Sequence, residues 1–343
     1  MSTLTETASF SKKASIWVVI GIVALVFLMI FLGVAGNIKN ALFPPPPLPA
    51  TVAFGKLPAM DLSEGYKAPG GISYSIETVS GDLPVLVKEA KAFAIAPGVL
   101  SFGALEDVKT KASQNGFSGD VKEINGTKVE FTDPQESGRI LTMDKTTGNF
   151  MLTSNYATDQ SIITSRPESL ESAIKSARSF FGNFGISELE FPAEKIRTQF
   201  LRIDGNILSK VASLSAANLV QVDFLRADID KLPVIWPKDM AKLATALVSE
   251  RKVVAADLNL LPIRKNSFAT YPLKGTAAAF SDLKDGRGAF VKPIKTNSMI
   301  ISDVKLGYVE SSKNELYLEP VYLFYSSDEQ IGYVPAVDAK WIK

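Results

Sequence analysis

Two groups of carboxylates are the nearest this chain comes to catalytic machinery: Glu188 with Glu190, and Asp223 with Asp228 and Asp230. Paired carboxylates can divide general-acid and general-base work, as in glycoside hydrolysis. At spacing i, i+2 on a strand Glu188 and Glu190 share one face, which is equally how two solvated surface acids sit. Asp285-Gly286-Arg287-Gly288 has glycines beside a cation, but neither glycine-rich phosphate fingerprint is present, and a helix stop followed by a turn accounts for it. A third group is aromatic: Tyr308, Tyr317, Tyr322, Phe324, Tyr325 and Tyr333. Aromatics are enriched at binding hot spots and are also what strands prefer. Alternation sets Tyr317 and Tyr325 opposite Tyr322 and Phe324, so only one set is core. Tyr308, Tyr317, Tyr322, Tyr325 and Tyr333 are the candidate interaction surface.

Composition narrows the chemistry further. The chain of 343 residues has no histidine and no cysteine. It therefore cannot build a Ser-His-Asp or Cys-His relay, a histidine proton switch, or a disulfide framework. A zinc site would have to use carboxylates alone, against the usual ligand chemistry. No catalytic, cofactor or metal residues are assigned, and the chain is read as a non-enzyme. Its formal net charge is +1, without the concentrated basic face that nucleic acid calls for.

The elements that must position these residues begin with an anchor. From Ile16 to Val34 no residue is charged and most are strongly apolar, long enough for a helix to cross a bilayer. Lys12 and Lys13 precede the run and only Lys39 follows closely, so the positive-inside rule predicts a cytoplasmic N-terminus and exported bulk. The expected division is a cytoplasmic tail (1–13), a transmembrane signal anchor (14–36) and a linker (37–50). Gly33-Val34-Ala35 would alternatively suit signal-peptide cleavage, although the apolar run exceeds a usual signal core. In the linker, Pro44-Pro45-Pro46-Pro47-Leu48-Pro49 favours an extended, stiff spacer of about 20 Å.

About 290 residues follow, more than one average domain, and a polar stretch around Asn155–Ser161 suggests domains at 51–160 and 161–343. In the first, strands are expected over Gly71–Val79 and Leu83–Ile95. A helix carries Leu105, Val108 and Ala112 on one face, capped at Ser101. Strands 120–124 and 127–132 meet at Asn125-Gly126, a signal for a type I′ turn. Strands 139–144 and 149–153 meet at Lys145–Gly148. The second domain opens on a helix with Leu170, Ala173, Ile174, Ala177, Phe180 and Phe181 on one face, with Ser165 and Glu168 as its capping box. Strands 195–203 and 219–226 follow, the latter alternating Val220, Val222 and Phe224 against Gln221 and Asp223. Residues 240–264 satisfy both helix and strand templates, and a hairpin turning at Ser249–Lys252 is favoured. Helix 276–284 and strands 300–309, 316–325 and 330–334 complete the α+β plan.

Helix, glycine stop and antiparallel strands occur twice. Leu141-Thr142-Met143-Asp144-Lys145-Thr146-Thr147-Gly148-Asn149-Phe150 resembles the closing hairpin of PepSY-type domains. Tyr271-Pro272-Leu273, Ala279, Leu283, Gly286, Val304-Lys305-Leu306-Gly307-Tyr308, Leu318-Glu319-Pro320-Val321-Tyr322 and Tyr333–Ala339 resemble YycH/YycI-like proteins. The resemblance is best over 257–339, and Trp341 stands where that pattern has Thr-Gly. It implies two PepSY-like α+β domains, each with helices packed on an antiparallel sheet. It also implies a membrane-anchored extracytoplasmic regulator that contacts another envelope protein, such as a sensor kinase; no cofactor is expected. An assembly component pairing through its sheet edges and a carboxylate-based glycan hydrolase are the alternatives.

Overall fold

Hairpins dominate the local structure, because strongly alternating segments are separated by short polar turns. The computed structural model describes Leu25, Met29 and residues 49–343 except 206, 238–242, 251 and 311–315. In chain order the elements are β1 (Ser73–Ile76), β2 (Glu89–Ile95), α1 (Ala104–Gln114), β3 (Val121–Glu123), β4 (Lys128–Thr132), β5 (Ile140–Asp144) and β6 (Phe150–Thr153). Then come α2 (Gln160–Thr164), α3 (Leu170–Asn183), β7 (Ile196–Asp204), β8 (Ile207–Lys210), β9 (Leu219–Phe224), β10 (Val234–Ile235), β11 (Ala244–Ser249) and β12 (Lys252–Leu258). The chain ends with β13 (Ile263–Pro272), α4 (Thr276–Lys284), β14 (Ala289–Phe290), β15 (Ser298–Val309), β16 (Tyr317–Leu318), β17 (Pro320–Ser326) and β18 (Ile331–Pro335).

Three sheets result. One has nine strands in the order β3-β4-β5-β6-β12-β11-β9-β7-β8. A six-stranded sheet runs β1-β15-β17-β18-β14, with β10 also on β15, and a three-stranded sheet runs β13-β2-β16. Beneath α1 and α3, one face of the nine-stranded sheet forms the largest core, where Val108, Ala112, Ala173, Ala177, Phe180 and Phe181 meet Phe150, Val220, Val222 and Phe224. The six-stranded sheet is buried on both faces: Tyr322 and Phe324 point toward α4 with Leu283, while Val321 and Leu323 lie in a second cluster with Ile235 and Tyr333. At Gly307 the residue entering β10, Pro233, passes close to β15. A Cβ there would lie 2.8 Å from the Pro233 carbonyl oxygen and against the Leu323 side chain, so only glycine admits that approach.

Two expectations are corrected here. Among the described residues strand takes 38% and helix 16%, so the fold is β-rich and is not the expected α+β pair of PepSY-like domains, each with helices packed on its own antiparallel sheet. The reason is that strands combine across the chain: β6 pairs with β12, β2 with β13, and β1 with β15 in parallel. Strands on both sides of Gln160 thus share the nine-stranded sheet, and Ala50–Lys343 forms one compact unit. The second correction concerns the anchor. Among the described residues no helix is long and apolar enough to cross a membrane, and the run Ile16–Val34 that carried the expectation lies outside them apart from Leu25 and Met29.

Several local expectations hold and others shift. The 249–252 hairpin is present as β11–β12, and β5–β6 turn through Lys145–Gly148, with Gly148 at φ +74. The β3–β4 hairpin forms, yet neither Asn125 nor Gly126 has positive φ. Instead the Asn125 side-chain oxygen accepts from the backbone N–H groups of Thr127 and Lys128, at 2.9 and 2.8 Å, a side-chain substitute for the tight turn. The cap of α3 is Ser169, whose hydroxyl accepts from Ser172 N–H; Ser165 lies 2.8 Å from Ser249 hydroxyl-to-hydroxyl instead. The cap position of α1 is Gly103, and Ser101 contributes only a backbone carbonyl to Ala104 N–H.

Candidate functional site

The carboxylates singled out in the sequence are each engaged by other side chains. Glu188 lies 3.1 Å from Arg178, and Glu190 lies 3.2 and 3.3 Å from Arg226 and Lys265. Asp228 pairs with Lys195 and Asp230 with Lys91. Asp223 is 5% exposed and accepts from Gln221 Nε2 and Thr245 Oγ1 at 2.9 Å each. Burial of a carboxylate is tolerated when its lone pairs are occupied in this way, and Asp223 thereby acts as a fixed acceptor. Asp285-Gly286-Arg287-Gly288 is the predicted helix stop: Gly286 has φ +74 and Arg287 pairs with Asp282 and Asp285.

Burial also sorts the tyrosines. Tyr308, Tyr322 and Tyr333 are at most 1% exposed, which puts them out of a partner's reach in this fold. Tyr308 donates to the Lys91 carbonyl at 2.9 Å, and burial, with Asp230 nearby, lifts its phenol well above the ordinary range. Tyr317 and Tyr325 are half-buried. Tyr317 stacks on Phe54, centroids 4.8 Å apart, and Tyr325 sits beneath Lys305. Alternation along β17 fails to separate core from surface because both faces of that strand are covered.

What the fold leaves open is the face of the nine-stranded sheet opposite α1 and α3. Side chains alternate across a strand, so with Val220, Val222 and Phe224 in the helix-side core, Gln221 and Asp223 point the other way. Register extends this into a row across the sheet: Thr142 beside Met151, Met151 beside Asp257, Asp257 beside Thr245, Thr245 beside Asp223, and Asp223 beside Arg197. Six strands at the usual spacing make this row about 24 Å long. A parallel row holds Ala255, Leu247, Gln221 and Gln199. Between them lies a groove of about 700 Å³, walled by Tyr156 and Leu208 and floored by Met151, Leu247, Thr245 and Asp257. Its volume is in the range of ligand pockets, and its lining mixes apolar and polar groups. A second groove of about 710 Å³ runs along α3, past Ser172, Ser176 and Ser179 to Lys252 and Arg139. Among the described residues no three acidic, histidine or cysteine side chains gather as a metal site.

Sequence reasoning missed the open-face row. Its members come from six strands spread over more than a hundred residues, and the only local sign was the alternation of β9, which flagged Gln221 and Asp223 as non-core.

The geometry defines a β-rich fold with one helix-covered and one partly open sheet face. No family model matches the chain, and no curated protein matches it. Among solved structures it is similar to the crystal structure of an uncharacterized protein from Eubacterium rectale ATCC 33656, with 14% identity and a TM-score of 0.37 over 72% of this chain and 82% of that one.

The carboxylates also set the expected pH profile. For Asp133 and Asp282 burial works upward, but the hydrogen bonds and charges of Arg139, and of Lys274 and Arg287, outweigh it and hold both below the usual range. Their stabilisation is complete above the unfolded-chain value near 4 and is lost as pH falls through the lowered folded values. With no histidine to titrate, the thermal midpoint is expected to stay level from about pH 5 to 8 and to drop below about pH 4. An inflection between pH 6 and 7 in a series of melts would contradict this.

Proposed function

We propose that this chain is a non-enzymatic binding module that acts by contact with another protein of the cell envelope, and that the open face of the nine-stranded sheet is its contact surface. The observation that carries this reading is the groove over Met151, Leu247, Thr245 and Asp257, in which an exposed apolar side chain, Met151 at 47%, stands beside polar groups held in register. Such a mixture is typical of a protein-contact patch, an apolar anchor ringed by hydrogen-bonding groups. The engaged state of Glu188, Glu190, Asp223, Asp228 and Asp230 favours binding over glycan hydrolysis. The resemblance of residues 257–339 to YycH/YycI-like regulators supports the same reading and a regulatory outcome of the contact.

The test is a photo-crosslinking residue at position 151 in the full-length chain, in cells, with the attached protein identified by mass spectrometry. One recurrent envelope protein is expected; self-crosslinks alone would sink the reading in favour of assembly. With that protein purified, Met151→Arg is expected to weaken binding by about tenfold or more, with the melting temperature of the free chain unchanged because the side chain is half exposed.

A further inference from the structure

We propose that the outer edge of β7 over Ile196–Gln199 receives an extended segment of the partner protein as an added strand; this rests on the binding reading above and specifies how the partner engages. Strand β9 covers the inner side of β7 from Ile196 to Leu201, whereas β8 covers the outer side only from Leu201 to Asp204. Hydrogen bonds settle which backbone groups point outward. The carbonyls of Lys195 and Leu201 accept from Leu225 and Asn218 on the β9 side, and the carbonyl of Phe200 accepts from Val211 on the β8 side. Odd-numbered residues therefore direct their N–H and C=O groups inward and even-numbered ones outward. Ile196 and Thr198 consequently present N–H and C=O groups along an edge where no strand lies among the described residues. That is the template used in β-strand addition.

The side chains define the segment that fits. Ile196 and Phe200 are half-buried and pack against the core beneath α3, so the segment's residues on that face are apolar and complete their burial. On the other face the added strand lies beside Gln199, whose neighbour Gln221 lines the open groove, so the alternate residues are polar. The opposite edge of the same sheet is a poorer template. Strand β3 spans three exposed residues, two of them Lys122 and Glu123, and short charged edges resist pairing. Strand β13 is already met at Thr270 by Val52.

The test uses the full chain and a synthetic peptide, acetyl-Lys-Val-Thr-Val-Thr-Val-Lys-amide, at millimolar concentration, read by backbone hydrogen exchange. Exchange at Ile196 and Thr198 is expected to slow by about tenfold or more at saturation. A twin peptide N-methylated at every residue, which leaves neither of its edges a donor, should give no protection. Thr198→Pro removes an outward N–H at a position where an edge strand tolerates proline; it should abolish protection, while Thr198→Ala keeps it. No slowing with the unmodified peptide, equal slowing with the methylated twin, or protection that appears without peptide as the chain is concentrated would each overturn the proposal; the last would show pairing between two copies of this chain. The two readings separate through the crosslink at position 151: if that crosslink persists in Thr198→Pro, the open-face reading stands and strand addition fails.

Discussion

Replacing Arg226 with alanine is expected to lower the unfolding free energy by about 3–5 kcal/mol, because it leaves a buried charge without its partner. Arg226 is 4% exposed and Glu310 fully buried, and the two are paired. The guanidinium also reaches Glu190 and the Leu261 carbonyl, each at 3.2 Å. Burial pulls the Arg226 pKa down and Glu190 opposes that pull. These contacts tie the end of β9 to the end of β15, two strands of different sheets. Glu310→Ala should cost less than Arg226→Ala, since Arg226 would keep Glu190. The double variant Arg226→Met/Glu310→Leu should recover most of the loss, as apolar replacement of a buried pair often does. Denaturant melts of the three variants provide the check. If the double variant is as unstable as the sum of the singles, the pair contributes through packing geometry, and the unpaired-charge account fails.

Phe150→Ala is expected to cost about 3–5 kcal/mol, the usual range for deleting a buried phenyl ring. Phe150 is 4% exposed and lies 4.2 Å, centroid to centroid, from Phe184 and 5.9 Å from both Phe180 and Phe181. It carries the ring contacts between β6 and α3, and α3 is also packed on β9 and β11, which opposes its moving in to close the gap. Phe150→Leu should retain more than half of the lost stability, since it restores volume without the ring-edge contacts. Urea melts measure both. An alanine variant within about 1 kcal/mol of the parent would mean that α3 shifts inward and that the core is softer than its packing suggests.

Much of the local structure was legible because it depends on near neighbours. The helix over 276–284 and the hairpins at 145–148 and 249–252 follow from periodicity and turn residues within a dozen positions. Alternation along Leu219–Phe224 correctly placed Val220, Val222 and Phe224 in the core. The same rule, which set Tyr325 opposite Tyr322 and Phe324 as surface against core, does not divide β17, where all but one residue is buried, since alternation reports core and surface only when one face is wet. At Asn125-Gly126 the hairpin was right and its turn wrong: the side-chain amide, not positive φ, closes it.

By itself the sequence determined the absence of histidine and cysteine chemistry, the uncharged apolar run at 16–34 and local segments such as the helix over 276–284 and the strand Leu219–Phe224, because each is a property of composition or short-range spacing. Only the tertiary structure decided which strands pair, that β6 joins β12 to merge two expected domains into one sheet, that Tyr308, Tyr322 and Tyr333 are interior, and that Met151, Asp257, Thr245 and Asp223 stand in one row. Strand pairing is chosen by complementarity between segments far apart in the chain, and a single strand's pattern says which face it buries without naming the neighbour that buries it.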